Sequence, residues 1–215
     1  MPVAFLDLAR ECAPQIATET LAAVVSVESG FQPFAIRINS DHPLADQPGT
    51  KAEAIETATV LIAEGLDIDL GLGGINSGNL GRLGLTVGDT FDLCLNLKAT
   101  ATLLDGYYRV ALQAGASAMQ AESVMLRSYF GNGDASVGEM VRYGSQVLAE
   151  RERLAGRLDR IEIAEVRESP TRDGAGAPVT TEHGQQRPHA SAPRWDVFNS
   201  GRQSSVLVFS NEQKE

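Results

Sequence analysis

The stretch Thr18-Glu-Thr-Leu-Ala-Ala-Val-Val-Ser-Val-Glu-Ser-Gly-Phe-Gln-Pro-Phe-Ala-Ile36 carries more structural information than any other part of the chain. Its pattern predicts a helix over residues 18–29. Thr18 is a suitable N-cap because its hydroxyl can accept from a free backbone N–H, and Gly30 is a suitable stop because glycine adopts the left-handed conformation that ends helices.

The apolar face of this helix contains one charged residue. Leu21, Val24 and Val25 form an apolar stripe, and at about 100° per residue Glu28 falls in the middle of that stripe. A carboxyl group placed there is expected to be partly desolvated, and burial raises the pKa of a carboxylic acid. A carboxylic acid that stays protonated near neutral pH is what general-acid cleavage of a glycosidic bond requires. The alternative is that the last helical turn frays into solvent and leaves Glu28 an ordinary surface acid.

Helical signals also dominate the rest of residues 1–165, where neither a run of alternating strands nor a fixed-period repeat is found. Residues 70–81 contain too many glycines for a helix, so they predict a loop whose backbone approaches another group closely. Four further helices are predicted: one opened by the capping box Thr50-Lys-Ala-Glu53 and closed by Gly65, one over 96–114, one over 117–130, and a long charged one running from the capping box Ser136-Val-Gly-Glu139 toward Glu165.

The composition excludes several classes of protein. Among 215 residues the net charge is −10, and residues 1–150 hold 8 Lys and Arg against 18 Asp and Glu, so this acidic part is not expected to bind nucleic acid. No apolar run reaches the roughly 18 residues of a membrane span. The first residues lack the zones of a secretory signal peptide, which leaves a cytoplasmic location, an unseen export route or a missing leader open.

Metal and nucleophile chemistry have little support in the sequence. No cluster of His, Cys or Asp has metal-ligand spacing, and neither a metal nor a cofactor is predicted. His42 is the only histidine before residue 183, and its turn-like surroundings indicate an exposed loop residue. Cys12 and Cys94 either form one disulfide or remain two buried thiols.

The composition changes near residue 165. Residues 1–160 are predicted to form the folded domain, residues 161–193 a charged helix end and a flexible, Pro-containing linker, and residues 194–215 a short terminal segment. Residues 194–210 regain apolar character and contain the only Trp, so they are predicted to bind a partner protein.

Several blocks of the sequence together resemble one known family. The run Val27-Glu-Ser-Gly-Phe-Gln-Pro-Phe-Ala-Ile36 resembles the catalytic Glu-Ser motif of lytic transglycosylases, and more narrowly of those attached to type IV secretion and conjugation systems. Gly71-Leu-Gly-Gly-Ile-Asn76 stands where that family has Gly-Leu-Met/Ala-Gln-Ile/Val-Asn. Phe91-Asp-Leu-Cys-Leu-Asn-Leu-Lys98 is similar to its Phe-Asp-Pro-Cys-x-Asn-Leu segment, and Ser128-Tyr-Phe-Gly-Asn-Gly-Asp134 matches its Ser-x-Tyr block.

The resemblance covers about residues 3–148 and a terminal Arg194-Trp-Asp-Val-Phe198 block, and it implies a fold and an activity. The fold is a mainly α, lysozyme-like catalytic domain of the goose-type and lytic transglycosylase kind. The activity is cleavage of the MurNAc–GlcNAc β-1,4 bond of peptidoglycan to a 1,6-anhydro product. The implied location is the periplasm, and the implied partners are glycan strands and, through residues 194–210, a type IV secretion apparatus.

The resemblance also assigns roles to individual residues. Glu28 would be the catalytic acid and base. Ser29 would hydrogen-bond near the reacting centre, or alternatively to backbone. Tyr129 would hydrogen-bond the catalytic carboxyl group, and Tyr143 would either close the glycan groove or belong to the core. Asn76 and the loop backbone would line the groove; the residues of this set are Gly71, Leu72, Gly73, Gly74, Ile75 and Asn76.

Two departures from the family pattern keep other functions open. Gly73 and Gly74 stand where the family has Met or Ala and then Gln, a residue that contacts the substrate in relatives, and Phe130 stands where many relatives have Asn. No second catalytic carboxylate is recognised by motif, since Asp41, Asp46 and Asp134 are interpreted as solvated loop acids. The alternatives are therefore a hydrolytic muramidase with the same fold, or a catalytically weak peptidoglycan-docking assembly factor.

Overall fold

The computed structural model describes residues 2–40 and 43–164, and most of this part is helical. Asp41 and His42 lie outside the described residues, as do the predicted linker beyond residue 164 and the partner-binding segment 194–210. The elements in chain order are β1 (Val3–Ala4), α1 (Phe5–Cys12), α2 (Thr18–Ser29), β2 (Ile36–Ile38), α3 (Lys51–Ala63), β3 (Ile68–Leu70), β4 (Ile75–Asn76), α4 (Leu80–Leu83), α5 (Leu93–Gln113), α6 (Ala118–Phe130), α7 (Ala135–Met140), α8 (Tyr143–Leu154) and β5 (Glu162–Ile163).

Helix α2 runs through the core with the bounds that the sequence predicts. All residues from Leu21 to Val25 are fully buried, because α1, α5 and α8 pack around the helix. Gly30 ends α2 in the left-handed conformation with φ 58°, as expected. The predicted cap at Thr18 is wrong by one residue: Ala17 is the N-cap and makes no side-chain cap bond.

Two other helices lie where the sequence predicts them, and each has a side chain that caps its first turn. Thr50 accepts from the backbone N–H of Glu53 at the start of α3, while the Glu53 carboxylate accepts from the N–H of Gly49. Ser117 and Gln120 form a complete capping box at α6. Helix α5 begins at Leu93, three residues before the predicted start, because Asp92 caps it by accepting from the N–H of Leu95.

The predicted long helix from Ser136 toward Glu165 is wrong. Asp134, rather than Ser136, caps the short helix α7, and Arg142 adopts a left-handed conformation with φ 54° that separates α7 from α8. After α8 a 3₁₀ turn at Leu158–Arg160 leads into β5. Residues 162–163 are therefore strand, where a charged helix end was predicted.

Short strands were missed by the sequence analysis. β2, β3 and β4 form an antiparallel sheet in which Arg37 lies opposite Asp69 and Ile75 opposite Leu70. β1 pairs with β5. These strands have only two or three residues, too few for an alternating pattern to be recognised.

A disulfide joins Cys12, the last residue of α1, to Cys94 in the first turn of α5. This resolves the alternative that the sequence left open. Among the described residues, no helix is both long enough and apolar enough to cross a bilayer.

Candidate active site

The centre of the site is Glu28, in the last turn of α2. Its side chain is 2% exposed, so the burial predicted from the apolar stripe is confirmed. The Tyr143 hydroxyl donates to Glu28 Oε1 at 2.5 Å, and Arg37 Nη2 lies 2.7 Å from Glu28 Oε2. The carboxyl group is thus held by a phenol on one oxygen and a guanidinium on the other.

A tight turn brings the chain back toward Glu28 after α2. Gly30 and Phe31 are both left-handed, with φ 58° and 65°, which is unusual for an aromatic residue. The Phe31 ring packs edge-on against Phe5 with the centroids 5.3 Å apart, and this packing anchors the turn. Strand β2 follows this turn and places Arg37 beside the Glu28 carboxyl group.

The sheet supplies a second carboxylate to the site. Asp69 lies opposite Arg37 in the register of β2 and β3, and its Oδ2 is 2.8 Å from the same Nη2 atom that approaches Glu28. Asn76 on β4 donates through Nδ2 to Asp69 Oδ1 at 2.9 Å and to Asp67 at 2.6 Å. Asn76 therefore fixes the two aspartates from the far side.

Effects of opposite sign act on the pKa of the Glu28 carboxyl group. Burial raises the pKa of the Glu28 carboxyl group, and this effect exceeds the lowering by Arg37 and by the Tyr143 hydrogen bond, while Asp69 adds a smaller upward contribution. Burial disfavours the charge on Arg37, but the Glu28 and Asp69 carboxylates together raise its pKa. Burial beside Glu28 also raises the pKa of Tyr143, so its hydroxyl remains a donor.

The Gly-rich loop is fixed by buried side chains. Asn96 accepts from the N–H of Gly73 at 2.8 Å and donates to the carbonyl oxygens of Leu70 and Thr90. A Cβ on Gly73 would lie 1.9 Å from Thr100 Oγ1, so this glycine is required for the loop to pack on α5. The predicted close backbone approach is confirmed.

Gly74 brings this loop against the catalytic candidate. Its φ is +66°, and a Cβ there would lie 2.8 Å from Glu28 Oε2. Leu72 and Ile75 point into the core, so what the loop offers a ligand near them is backbone. A Gln at position 74 would thus be strained and would press on Glu28.

Tyr143 takes the role that the resemblance assigned to Tyr129. Tyr129 does not hydrogen-bond Glu28, as was predicted; its hydroxyl donates to the Gly73 carbonyl at 2.6 Å and holds the loop. Tyr143, predicted to close the groove or join the core, is buried and makes the bond to Glu28. Ser29 takes the backbone alternative, with its hydroxyl 2.7 Å from the Leu72 carbonyl and 3.0 Å from that of Val25.

Two cavities meet at Glu28. The larger, of about 300 Å³, extends from Glu28 past Gln32, Leu44 and Gln47. The smaller, of about 20 Å³, lies on the side of Asn79 and Asn132. Glu28, Arg37, Asp69 and Gly74 line both cavities, and this pair of cavities is called the groove below.

Arg37 and Asp69 are the site residues that sequence reasoning missed. The triplets Ile-Arg-Ile (36–38) and Ile-Asp-Leu (68–70) each place one charge between apolar residues, the only sequence signal for them. Asp46 and Asp134 are exposed loop residues, as interpreted, and Asp134 serves as a helix cap. In the described part of the chain, no group of three or more His, Cys, Asp or Glu residues is arranged to hold a metal ion.

The helical fold and the buried glutamate beneath a groove define a lysozyme-like domain. Residues 6–138 match the family model of the transglycosylase SLT domain, and the chain belongs to that family. The mainly α, lysozyme-like fold expected from the resemblance is thereby confirmed. Tyr143 lies beyond the matched range.

Several curated proteins are similar to this chain. The type IV secretion system protein virB1 of Brucella suis is 44% identical over 110 residues, covering 51% of this chain and 46% of the relative. Protein virB1 of Rhizobium radiobacter is 38% identical over 128 residues (57% and 49%), and that of Agrobacterium fabrum is 34% identical over 137 residues (62% and 54%). The chain spans about half the length of these curated relatives. No solved structure matches it.

Removal of one tyrosine hydroxyl should distinguish the two tyrosines. Tyr143→Phe is expected to raise the pKa of Glu28 by about 1–2 pH units, because a hydrogen bond to a charged group contributes about 1.5–3 kcal/mol. Tyr129→Phe is the matched control and should leave that pKa near the wild-type value, since its hydroxyl donates to Gly73. The measurement is a ¹³C NMR titration of protein labelled at the Glu side-chain carboxyl carbons, with Glu28 assigned from Glu28→Gln. Equal shifts in the two variants would contradict the assignment.

The raised pKa of Glu28 also predicts a pH dependence of stability. A protonated Glu28 contributes stability that is fully present below its ordinary pKa of 4.5 and is lost as the pH rises through the higher folded-state value. The free energy of unfolding of the wild type, relative to Glu28→Gln, should therefore fall as the pH rises from 4.5 through that folded-state value. Urea denaturation of both proteins over this range measures it, with the exposed Glu64→Gln as control. A difference that grows with pH would contradict the direction of the shift.

Proposed function

We propose that this protein is a peptidoglycan lytic transglycosylase, which cleaves the MurNAc–GlcNAc β-1,4 bond to a 1,6-anhydro product. The observation that carries the proposal is the Glu28 carboxyl group, 2% exposed and hydrogen-bonded to Tyr143, in the groove of an SLT-family domain. Burial favours the protonated form of this group, which is the form that a general acid needs.

In the first step Glu28 acts as an acid. Its proton passes to the glycosidic oxygen, the bond from C1 of MurNAc to that oxygen breaks, and the electron pair leaves with the GlcNAc hydroxyl. The positive charge that develops at C1 is stabilised by the N-acetyl group of the sugar itself. Arg37 and the Tyr143 hydroxyl then stabilise the Glu28 carboxylate that the proton transfer leaves behind.

In the second step the same residue acts as a base. The Glu28 carboxylate takes the proton of the MurNAc 6-hydroxyl while O6 forms a bond to C1. The 1,6-anhydro ring closes without consumption of water, and Glu28 is again protonated for the next cycle. One carboxyl group therefore serves both steps, and the loop backbone at Gly71 and Gly74 lines the groove beside it.

A hydrolytic muramidase is the second candidate, and Asp69 is the observation in its favour. Glycosidases with two carboxylates use the second as a nucleophile or to activate water. Asp69 is buried in the same cluster as Glu28. However, its oxygens are already occupied by Arg37 and Asn76, which makes Asp69 a poor nucleophile and favours the transglycosylase.

The alternative hypothesis of a catalytically weak docking factor has less support than the sequence alone gave it. The glycine at position 74 pointed to it, because relatives have a Gln there. The short distance from a Cβ at Gly74 to Glu28 supports a packing role for this glycine.

We further propose that the enzyme opens the cell wall locally for assembly of a type IV secretion or conjugation apparatus. The name of the Brucella suis relative, a type IV secretion system protein, supports the link to such an apparatus. A periplasmic location agrees with the Cys12–Cys94 disulfide, since disulfides persist in oxidising compartments. Residues 1–164, which include the strand β5 paired with β1, are proposed as the catalytic domain, residues 165–193 as a linker, and residues 194–210 as the segment that binds the apparatus.

Incubation with purified peptidoglycan sacculi tests the proposed activity. The wild type should release soluble muropeptides. If the protein co-sediments with sacculi but releases nothing, while a control muramidase solubilises the same material, the protein is a docking factor and not an enzyme.

A further inference from the structure

Arg37 connects the two carboxylates of the site through one atom. Its Nη2 lies 2.7 Å from Glu28 Oε2 and 2.8 Å from Asp69 Oδ2. The side chain is nevertheless 41% exposed, whereas both of its partners are buried. The guanidinium also lies over the ring of Phe130, 5.9 Å from its centroid. Arg37 is thus the exposed member of an otherwise buried charge cluster.

The position of Arg37 in the groove gives this cluster a consequence for binding. Glu28, Arg37, Asp69 and Gly74 line both the larger and the smaller cavity. Arg37 therefore stands at the junction of the two. A ligand that fills the larger cavity up to Glu28 therefore lies beside the guanidinium.

We propose that Arg37 is a positioning residue that acts through Glu28: its guanidinium holds the Glu28 carboxyl group toward the charged form in the free protein, and Asp69 weakens this hold by competing for the same guanidinium. The inference rests on the proposed function for its catalytic meaning. The pair Arg37–Asp69 thereby shifts the fraction of Glu28 that is protonated in the free enzyme, which is the fraction able to act as an acid.

The other groups that face Glu28 act on it without a charge of their own: the Tyr143 hydrogen bond lowers the pKa of Glu28, and burial raises it. Tyr143 on α8 and Tyr129 on α6 are neutral, and burial raises the pKa of both hydroxyls. Arg37 on β2 and Asp69 on β3 are the two groups whose charges act on Glu28, with opposite effects. The charged contribution to the pKa of Glu28, beside burial and the Tyr143 hydrogen bond, therefore depends on the balance between one cation and one anion on paired strands.

Opposite substitution effects follow from this balance. Arg37→Gln should raise the pKa of Glu28 by about 1–3 pH units, the range expected when an opposite charge close to a carboxylate is removed. Asp69→Asn should lower it by a smaller amount, because Arg37 then pairs with Glu28 alone. Arg37→Lys keeps the charge and should stay near the wild type. Arg109→Gln is the matched control, since Arg109 is an exposed arginine that pairs with Asp105.

The same ¹³C titration of Glu28, in the free protein without substrate, measures these shifts. A merely structural role would not produce shifts of opposite sign in Arg37→Gln and Asp69→Asn. An unchanged or lowered pKa in Arg37→Gln, or a raised one in Asp69→Asn, would overturn the proposal. If Arg37→Gln fails to fold, the sign of the Asp69→Asn shift still decides.

The pH profile of cleavage supplies the second readout. The alkaline limb of kcat/KM reports the free enzyme, so in Arg37→Gln it should move upward by the shift that NMR measures. An alkaline limb that stays in place would overturn the link to catalysis. A protein that shows both NMR shifts but cleaves nothing would refute the proposed function and leave the role of Arg37 in setting the charge of Glu28 intact.

Discussion

Glu28→Gln is expected to lower the rate of peptidoglycan cleavage by about a thousandfold or more. A general acid–base group contributes about 10²–10⁴-fold to a rate, and here one residue would supply both the acid and the base. The amide has nearly the same volume as the carboxyl group and still accepts from Tyr143, so the fold should survive. However, it neither gives up a proton to the glycosidic oxygen nor takes one from the 6-hydroxyl.

The release of soluble muropeptides from sacculi under initial-rate conditions measures this effect. Glu64→Gln, an exposed glutamate in the turn after α3, is the matched control and should keep wild-type activity. Circular dichroism and the unfolding midpoint of Glu28→Gln show whether its fold is intact. A folded Glu28→Gln protein that retained a tenth or more of the activity would exclude Glu28 as the acid.

Loss of the disulfide is expected to have the largest effect on stability. Cys12 and Cys94 are separated by 82 positions in the chain, and a loop of that length contributes about 4 kcal/mol in the chain-entropy model. The double variant Cys12→Ala/Cys94→Ala should lose about this much free energy of unfolding. The active site should also be disturbed, because Cys94 lies in the first turn of α5 together with Asn96, whose side chain holds the Gly-rich loop.

Urea denaturation with and without a thiol reductant measures the contribution of the disulfide. The wild type in reductant should approach the stability of the double variant. The double variant itself should not respond to reductant and serves as the control. If the reductant leaves the wild-type midpoint unchanged, while a free-thiol assay confirms reduction, the disulfide is not the source of stability.

The parts of the fold that could be predicted depend on local signals. Helix α2 has an apolar stripe and a terminal glycine, and both features are visible within twelve residues. The burial of Glu28 follows from the same spacing. The cap that starts α3 is likewise a local signal, because Thr50 and Glu53 are three residues apart.

The features that were missed depend on contacts between distant segments. Arg37 and Asp69 lie side by side only because of the register between two three-residue strands, and no local sequence pattern predicts that register. Tyr129 and Tyr143 both come near the site, and which hydroxyl reaches Glu28 is decided by the break at Arg142 that starts a new helix. That break is itself hidden, because arginine at a left-handed position carries no sequence signal of the kind that glycine gives.

The chemistry of the product ends tests the central claim, that Glu28 cleaves glycan strands without water. Sacculi are digested by the wild type and by Glu28→Gln, and the fragments are examined by mass spectrometry before and after borohydride treatment. We expect wild-type fragments with 1,6-anhydro ends that borohydride does not reduce, and no fragments from Glu28→Gln. Reducible ends from the wild type, or anhydro ends from Glu28→Gln, would contradict the account.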